Sequence, residues 1–296
     1  MIMISIVICL ALEFFTNGLE PYRSWRWSEV WLMKVKSLLH ARIQWDGPWG
    51  VLAVLLLPLL LTTLVSFLLD NIFLGLFELL LGILILIYSL RYQPQDRLID
   101  EVIDALESGE LSRANERAEK IIGHPPIAEK DLVKQVSDAI FVNINERMFA
   151  VMFWFALLGP TGAVMYRLVW SYSQSDRDDE PGFMRAMQRL LDILDWVPVR
   201  LLIIGFAIAG SFEDAIHEWR EAFHEGIEDV SALHRYILVH AGQGAIHIDR
   251  FLSNAHETGA DRFDVNAIRA ARGLVLRTTL AWGIVVAVIT LTGWAS

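Results

Sequence analysis

Apolar residues gather in six blocks along this chain, and polar stretches with helical spacing lie between them. The blocks are 1–12 (Met1 to Leu12), Gly50–Leu69, Ile72–Leu90, Phe149–Trp170, Trp196–Phe212 and Leu274–Trp294. Four of them approach the ~20 residues that an α-helix needs to cross a hydrocarbon core. The first is shorter. No Lys/Arg cluster precedes it and no small-residue cleavage site follows before Glu13, so it is expected to be a retained helix. The fifth is also short and carries Arg200, so it spans, tilts or is re-entrant. Only Asp70 and Asn71 separate the second block from the third, which predicts a tight helical hairpin. Gly159-Pro160 in the middle of the fourth predicts a kink.

The polar stretches read as helices too. Leu98, Ile99, Val102, Ile103 and Leu106 share one face of a helix over Arg97–Leu106, which Gly109 stops. Ser112 restarts the pattern, Ala114, Ala118, Ile121 and Ile122 form its face, and Gly123-His124-Pro125-Pro126 breaks it. A third helix is predicted over Lys130–Ile144. In Glu213–Arg272, Phe212, Ile216, Trp219 and Phe223 make a stripe, and Leu233–Leu252 is helical although Gly242 and Gly244 weaken it. No alternation of strand type appears. The expected fold is all-α, a polytopic helical membrane protein with about six apolar segments and helical cytoplasmic regions. Its parts are 1–90 (N-terminal membrane helices), 91–148 (helical cytoplasmic region), 149–212 (central membrane segments), 213–273 (second helical cytoplasmic region) and 274–296 (C-terminal membrane helix).

Composition agrees with a membrane protein. Of 296 residues 54% are hydrophobic and 20% charged, against about 25% charged in soluble domains, and the mean hydropathy is +0.42. The net charge of −10 excludes a nucleic-acid partner, which would require a basic stripe. Membrane lipid is the expected surrounding. Cys9 is the sole cysteine, so an intramolecular disulfide and a cysteine-based metal cluster are excluded, and it is expected to pack as a small apolar residue. Positive charge near the membrane favours a cytoplasmic placement of Arg23, Arg26, Lys34, Lys36, Arg42, Arg91, Arg97, Arg269, Arg272 and Arg277, with both termini outward.

Ionisable residues inside apolar segments are candidates for function, because burying them in hydrocarbon is costly unless they are paired or solvated. Here they are Glu13, Glu78 and Arg200, with Glu78 seven residues into its block. Glu13, Glu78 and Asp192 are candidate partners for Arg200. Arg167 is expected to snorkel from a helix end. Trp45, Trp49, Trp170, Trp196 and Trp294 fit an interfacial aromatic belt. Leu194-Asp195-Trp196-Val197-Pro198-Val199-Arg200-Leu201 reads as a helix entry, with Asp195 a possible N-cap and Pro198 in the first turn.

That octapeptide resembles the Asp-Trp-Val-Pro-Val-Arg-Leu element of the AmpE family and, more distantly, the Pro-Ala-Arg-Leu element of adenosylcobinamide-phosphate synthases. Other pieces within Leu98–Leu201 resemble these families in order and spacing. They are Glu107-Ser108-Gly109-Glu110-Leu111, Ile122-Gly123, Phe153-Trp154-Phe155-Ala156-Leu157-Leu158-Gly159, Tyr166-Arg167 and Asp192. The resemblance to AmpE implies a bacterial inner-membrane, multi-pass regulatory protein linked to β-lactamase induction and cell-wall recycling. It also implies, as partners, the AmpD-type amidase and muropeptide-recycling proteins. The resemblance to the synthases implies, alternatively, an ATP-dependent amide-forming enzyme, for which ATP and Mg²⁺ would be cofactors.

The departures from the synthases favour the regulatory reading and leave no catalytic residue assigned. Val142-Asn143-Ile144-Asn145-Glu146 stands where the synthases carry Glu-Asn-Thr…Asp, and Trp170-Ser171-Tyr172-Ser173 where they carry Asn-Thr-Leu-Asp. Val142, Trp170 and Ser173 supply fewer oxygen ligands for Mg²⁺ and phosphates. The candidate ligand-binding residues are Asn143, Asn145, Glu146, Arg147, Asp192, Asp195 and Arg200. In a six-span topology 143–147 and 192–195 lie at opposite faces, about 30 Å apart, and are expected to remain separate. A third alternative, a small-solute transporter, is suggested by Glu78, Arg200 and the Gly-Pro kink. No P-loop is present. His217, Glu221 and His224 sit at helical spacing, as do His240 and His247 seven apart, but a solvated His/Glu face explains them, so no metal site is expected.

Overall fold

The computed structural model describes residues 4–9, 26–39, 44–69, 75–90, 95–127, 131–175, 180–222, 224–251 and 265–291. These residues form helices and connections, with no strand among them. The helices are α1 (4–9), α2 (Arg26–Leu39), α3 (Pro48–Leu69), α4 (Leu76–Ser89), α5 (Gln95–Glu107), α6 (Leu111–Ile122), α7 (Leu132–Ile144), α8 (Ala150–Leu158), α9 (Pro160–Ser173), α10 (Pro181–Ala209), α11 (Phe212–Ala222), α12 (Val230–Ile246) and α13 (Asn266–Leu291). A π-helical turn, Asn145–Phe149, joins α7 to α8 without a break. The chain divides into two compact units. Unit 1 is Met1–Arg91, Glu146–Pro198 and Gly283–Ser296; unit 2 is Tyr92–Asn145 and Val199–Trp282.

Among the described residues three helices are long and apolar enough to cross a membrane, Pro48–Leu69, Leu132–Leu158 and Asn266–Val288. Leu76–Ser89 is equally apolar but shorter, about 21 Å at 1.5 Å per residue. The block at 149–170 is divided at Gly159, whose φ of 63° and ψ of −153° favour glycine, and Pro160 starts the next helix where its missing N–H loses nothing. The predicted kink is therefore a full break. The first half of that block instead continues α7, so residue 148 is not an element boundary. The block at 196–212 likewise forms no element of its own; residues 196–209 are the second half of α10, and Phe212 opens α11.

Unit 1 is built on α9. Its residues Ala163, Tyr166, Leu168, Val169 and Tyr172 are buried, among Val51, Val54 and Leu55 of α3, Leu86 of α4, Phe155 of α8 and Leu194 of α10. The opposite side of α3 exposes Leu52, Leu56, Leu60, Leu64 and Phe67, as expected of a helix whose solvent is lipid. Cys9 is buried in this core, as its apolar character predicts. Gly82 lets α1 approach α4, since a Cβ there would lie 2.9 Å from Ser5 Oγ. Trp45 and Trp170 do not belong to an aromatic belt. Both are buried and donate hydrogen bonds, Trp45 to Glu180 at 2.8 Å and Trp170 to Glu146 at 3.1 Å. Trp49 and Trp196 are exposed, and Trp294 lies outside the described residues.

Unit 2 follows the predicted faces closely. Ile99, Val102, Ile103 and Leu106 of α5 and Ala114, Ala118 and Ile121 of α6 are buried. Gly109 and Gly123 adopt positive φ (75° and 93°) and end the two helices. Arg269 and Arg272 of α13 reach Glu107 and Asp100 of α5, each at 2.7 Å. The stripe predicted on α11 holds only in part: Ile216 and Trp219 are half-buried and Phe212 is exposed, whereas the fully buried positions are Ala215 and Ala222. Phe223 lies outside the described residues. Gly242 and Gly244 are close-packing positions within an intact α12, not weak points. A Cβ at Gly242 would lie 2.7 Å from the Phe141 ring, and one at Gly244 2.7 Å from the Asp214 carbonyl.

Candidate functional site

Pro198 is an interior residue of α10, not a first-turn residue, and Asp195 is not an N-cap. The helix begins at Pro181, where Asp46 Oδ1 accepts the Phe183 N–H at 2.6 Å and the buried Glu180 carboxylate pairs with Lys36 Nζ. An interior proline has no N–H for the carbonyl four residues earlier, here Leu194. The Trp154 indole supplies the missing donor: its Nε1 donates to Leu194 O at 3.0 Å. The same device operates in α3. Interior Pro58 frees the Val54 carbonyl, which accepts from Trp31 Nε1 at 2.9 Å.

Because α10 continues through this position, Asp195 faces α9 and accepts the Tyr166 hydroxyl proton at 2.9 Å. The next residue of α9, Arg167, lays its guanidinium 4.3 Å over the ring of Trp170, one turn on, and Trp170 Nε1 donates to Glu146 Oε2. Tyr166 is fully buried, and Arg167 retains only 3% exposure. Arg167 therefore does not snorkel; Trp170 covers it inside unit 1. The charges of Asp195, Glu146 and Arg167 all act on Tyr166. The result is a cluster of two half-buried carboxylates with a buried phenol, indole and guanidinium.

This arrangement overturns the expected separation. Glu146 and Asp195 both bond to α9, at Trp170 and Tyr166, because the second set lies in mid-helix and not at the outer mouth of a separate span. Arg147, half-buried, shares the π turn with Glu146. Asp192 lies one turn before Asp195 and accepts from Gln188 Nε2 at 3.5 Å. The remaining candidates belong to unit 2. Asn143 donates to the Ile121 carbonyl of α6 at 3.0 Å, Asn145 is buried at the start of the π turn, and Arg200 is half-buried beyond Pro198. Glu78 is not deep in a span: α4 starts at Leu76, so Glu78 stands in its first turn, where the helix dipole favours an anion. Glu13 lies outside the described residues. Sequence reasoning missed Tyr166, Arg167 and Trp170 as cluster members, although Tyr166-Arg167 stood within a matched element.

The cluster does not fit Mg²⁺ with a nucleotide. A hard cation takes six or more oxygens, and here the two carboxylates already serve Tyr166 and Trp170 in close packing. The cluster is suited instead to fixing α9 against α10 and against the π turn through charge-assisted bonds.

Comparison with known proteins places this architecture. The chain is similar to the cobalamin biosynthesis protein CobD of Stutzerimonas stutzeri, with 30% identity over 127 residues covering 40% of this chain and 41% of that protein. It is similar to the CobD of Chromobacterium violaceum, with 30% identity over 124 residues covering 39% of each. The CobD of Pelobacter propionicus is 24% identical over 105 residues, 34% of this chain and 32% of that protein. The chain thus spans about two fifths or less of the length of these curated relatives. No solved structure matches it. Residues 1–295 match the family described as regulatory signalling modulator protein AmpE. With a match running from end to end, and with long apolar helices exposing their sides, this membrane protein belongs to the AmpE family.

Proposed function

We propose that the protein is a multi-pass regulator of the bacterial inner membrane that modulates β-lactamase induction in response to cell-wall recycling, alongside an AmpD-type amidase. The end-to-end family match carries this reading. The cluster at Tyr166 supports it as a hub: a regulator must transmit one defined conformation, and the bonds from Tyr166 to Asp195 and from Trp170 to Glu146 tie three segments of unit 1 together. Deleting the gene from a host with an inducible β-lactamase is expected to change induced enzyme activity several-fold. The wild-type gene restores it, and Asp195→Ala, present at equal level in the membrane, does not. Induction unaffected by the deletion would refute the reading.

The partial likeness to the CobD proteins favours a second reading, an amide-forming enzyme of the cobinamide-phosphate synthase type. The donor set opposes it. The expected outcome is no ADP in a single-turnover assay with ATP, Mg²⁺, cobyric acid and aminopropanol phosphate. ADP formation that Glu146→Ala abolishes would reverse the ranking.

A further inference from the structure

Helix α2 is clasped to one end of α3 and α4. Trp31 Nε1 reaches the Val54 carbonyl in the second turn of α3. One turn earlier, Trp27 Nε1 donates to the Tyr88 hydroxyl, at the end of α4, at 3.0 Å. Beside this clasp unit 1 holds a cavity of about 470 Å³, a volume within the range of small-molecule sites. Trp27, Trp31 and Tyr88 line it at the α2 end. Leu57 and Leu61 of α3 and Leu84 of α4 line it and are exposed, so its mouth opens on the apolar flank of the membrane helices; buried Val164 of α9 lines it from within. Polar atoms of the wall are turned to the protein, the Trp31 indole to Val54 and the Thr62 hydroxyl to the Pro58 carbonyl at 2.8 Å. The α2 stripe that carries Trp27 and Trp31 continues at helical spacing to Lys34 and Leu38, both exposed. Glu29 and Lys36 point elsewhere, to Ser175 and to Glu180, so the charge on this stripe is positive. Val30 and Met33 are exposed as well, which gives α2 the apolar side and lysine of a helix lying in a headgroup layer.

We propose that this cavity seats one acyl chain of an anionic phospholipid whose phosphate lies at Lys34. The order of chemistry along it matches that molecule. An aliphatic shaft comes first, then aromatic rings whose N–H and O–H suit the interface, then a cation. A water-soluble ligand would need polar contacts that this wall keeps for the protein. A packed protein helix would cover Leu61 and Leu84 but leave the cation without a partner. Bulk lipid is as apolar as the cavity, so burial of the chain gives little selectivity. The head supplies it, because a lysine beside the membrane attracts anionic lipid. A seated lipid braces α2 against α3 and α4, on the face where Trp31 serves the carbonyl that Pro58 leaves open.

The test is native mass spectrometry of the full-length protein, stripped of lipid in detergent and titrated with phosphatidylglycerol or with phosphatidylcholine of the same chains. The first phosphatidylglycerol is expected to bind about fivefold more tightly than phosphatidylcholine, the worth of one lysine near an anionic head. Leu84→Trp, which fills the mouth with an indole, should remove that first step, and Lys34→Gln should remove the preference alone. Leu64→Trp, on the exposed side of α3 outside the lining, should change neither. Thermal unfolding in detergent checks each fold. Should Leu84→Trp fail to fold, Lys34→Gln, on the surface of α2, decides. Equal affinity for the two lipids, a preference that survives Lys34→Gln, or a full first step in folded Leu84→Trp would overturn the proposal. So would a dimer that lipid removal strengthens and Leu84→Trp breaks, which would assign the cavity to a second copy of the chain.

Discussion

Trp154→Phe is expected to destabilise the protein by about 1–3 kcal/mol, the cost of leaving a buried carbonyl without a donor, and most of that loss should vanish when Pro198 is also replaced. The carbonyl belongs to Leu194, whose side chain is 4% exposed. In the native chain the indole serves it where Pro198 has no N–H to offer. Pro198→Ala returns a backbone donor to the same oxygen, and the indole then becomes redundant. A double-mutant cycle read by denaturant unfolding in detergent should give a coupling energy of about 1 kcal/mol or more. Additivity within about 0.5 kcal/mol would show that Trp154 contributes by packing alone. Trp31→Phe with Pro58→Ala repeats the experiment in α3.

The second large effect is expected at Gly162. A Cβ there would lie 2.1 Å from the Trp154 carbonyl oxygen, 2.7 Å from the carbonyl carbon and 2.9 Å from Leu158 Cβ. The two nearest are backbone atoms, so no side-chain rotation relieves the clash. Gly162→Ala must open the turn between α8 and α9, at about 3 kcal/mol or more, beyond the usual overpacking range. It would also pull Tyr166 and Trp170 from their carboxylate partners. Gly109→Ala is the comparison: its φ is 75° but no atom lies within 4 Å, so backbone strain of about 1–2 kcal/mol is the whole cost. Equal losses in the two variants would mean that the turn is looser than described.

These two positions mark where the sequence was legible and where it was not. Gly159-Pro160 announced an interruption, read as a kink and found to be a full break, because both residues act locally, one by its φ and one by its missing donor. The faces of α5 and α6 were legible for the same reason, since periodicity is a property of the helix itself. Pro198 was misread because local rules place a proline at a helix start. What keeps it inside α10 is an indole 44 residues earlier in the chain, which no window around the proline contains. The convergence of Glu146 and Asp195 on α9 was hidden by the same error, for a helix thought to begin at Trp196 puts Asp195 at a membrane face. Arg167 was read as snorkelling because it lies near the end of its apolar block, while its Trp170 cover, one turn away, was assigned to the interface.

Cys9, enclosed in the core of unit 1, gives the chain a property useful in the bench work above. A unique thiol with no solvent contact reacts with a labelling reagent only when the surrounding packing opens. With fast reclosing, the modification rate reports the population of that opened form directly. The native protein thus carries its own chemical stopwatch for local stability, one that runs in an intact lipid bilayer, without denaturant and without any added tag.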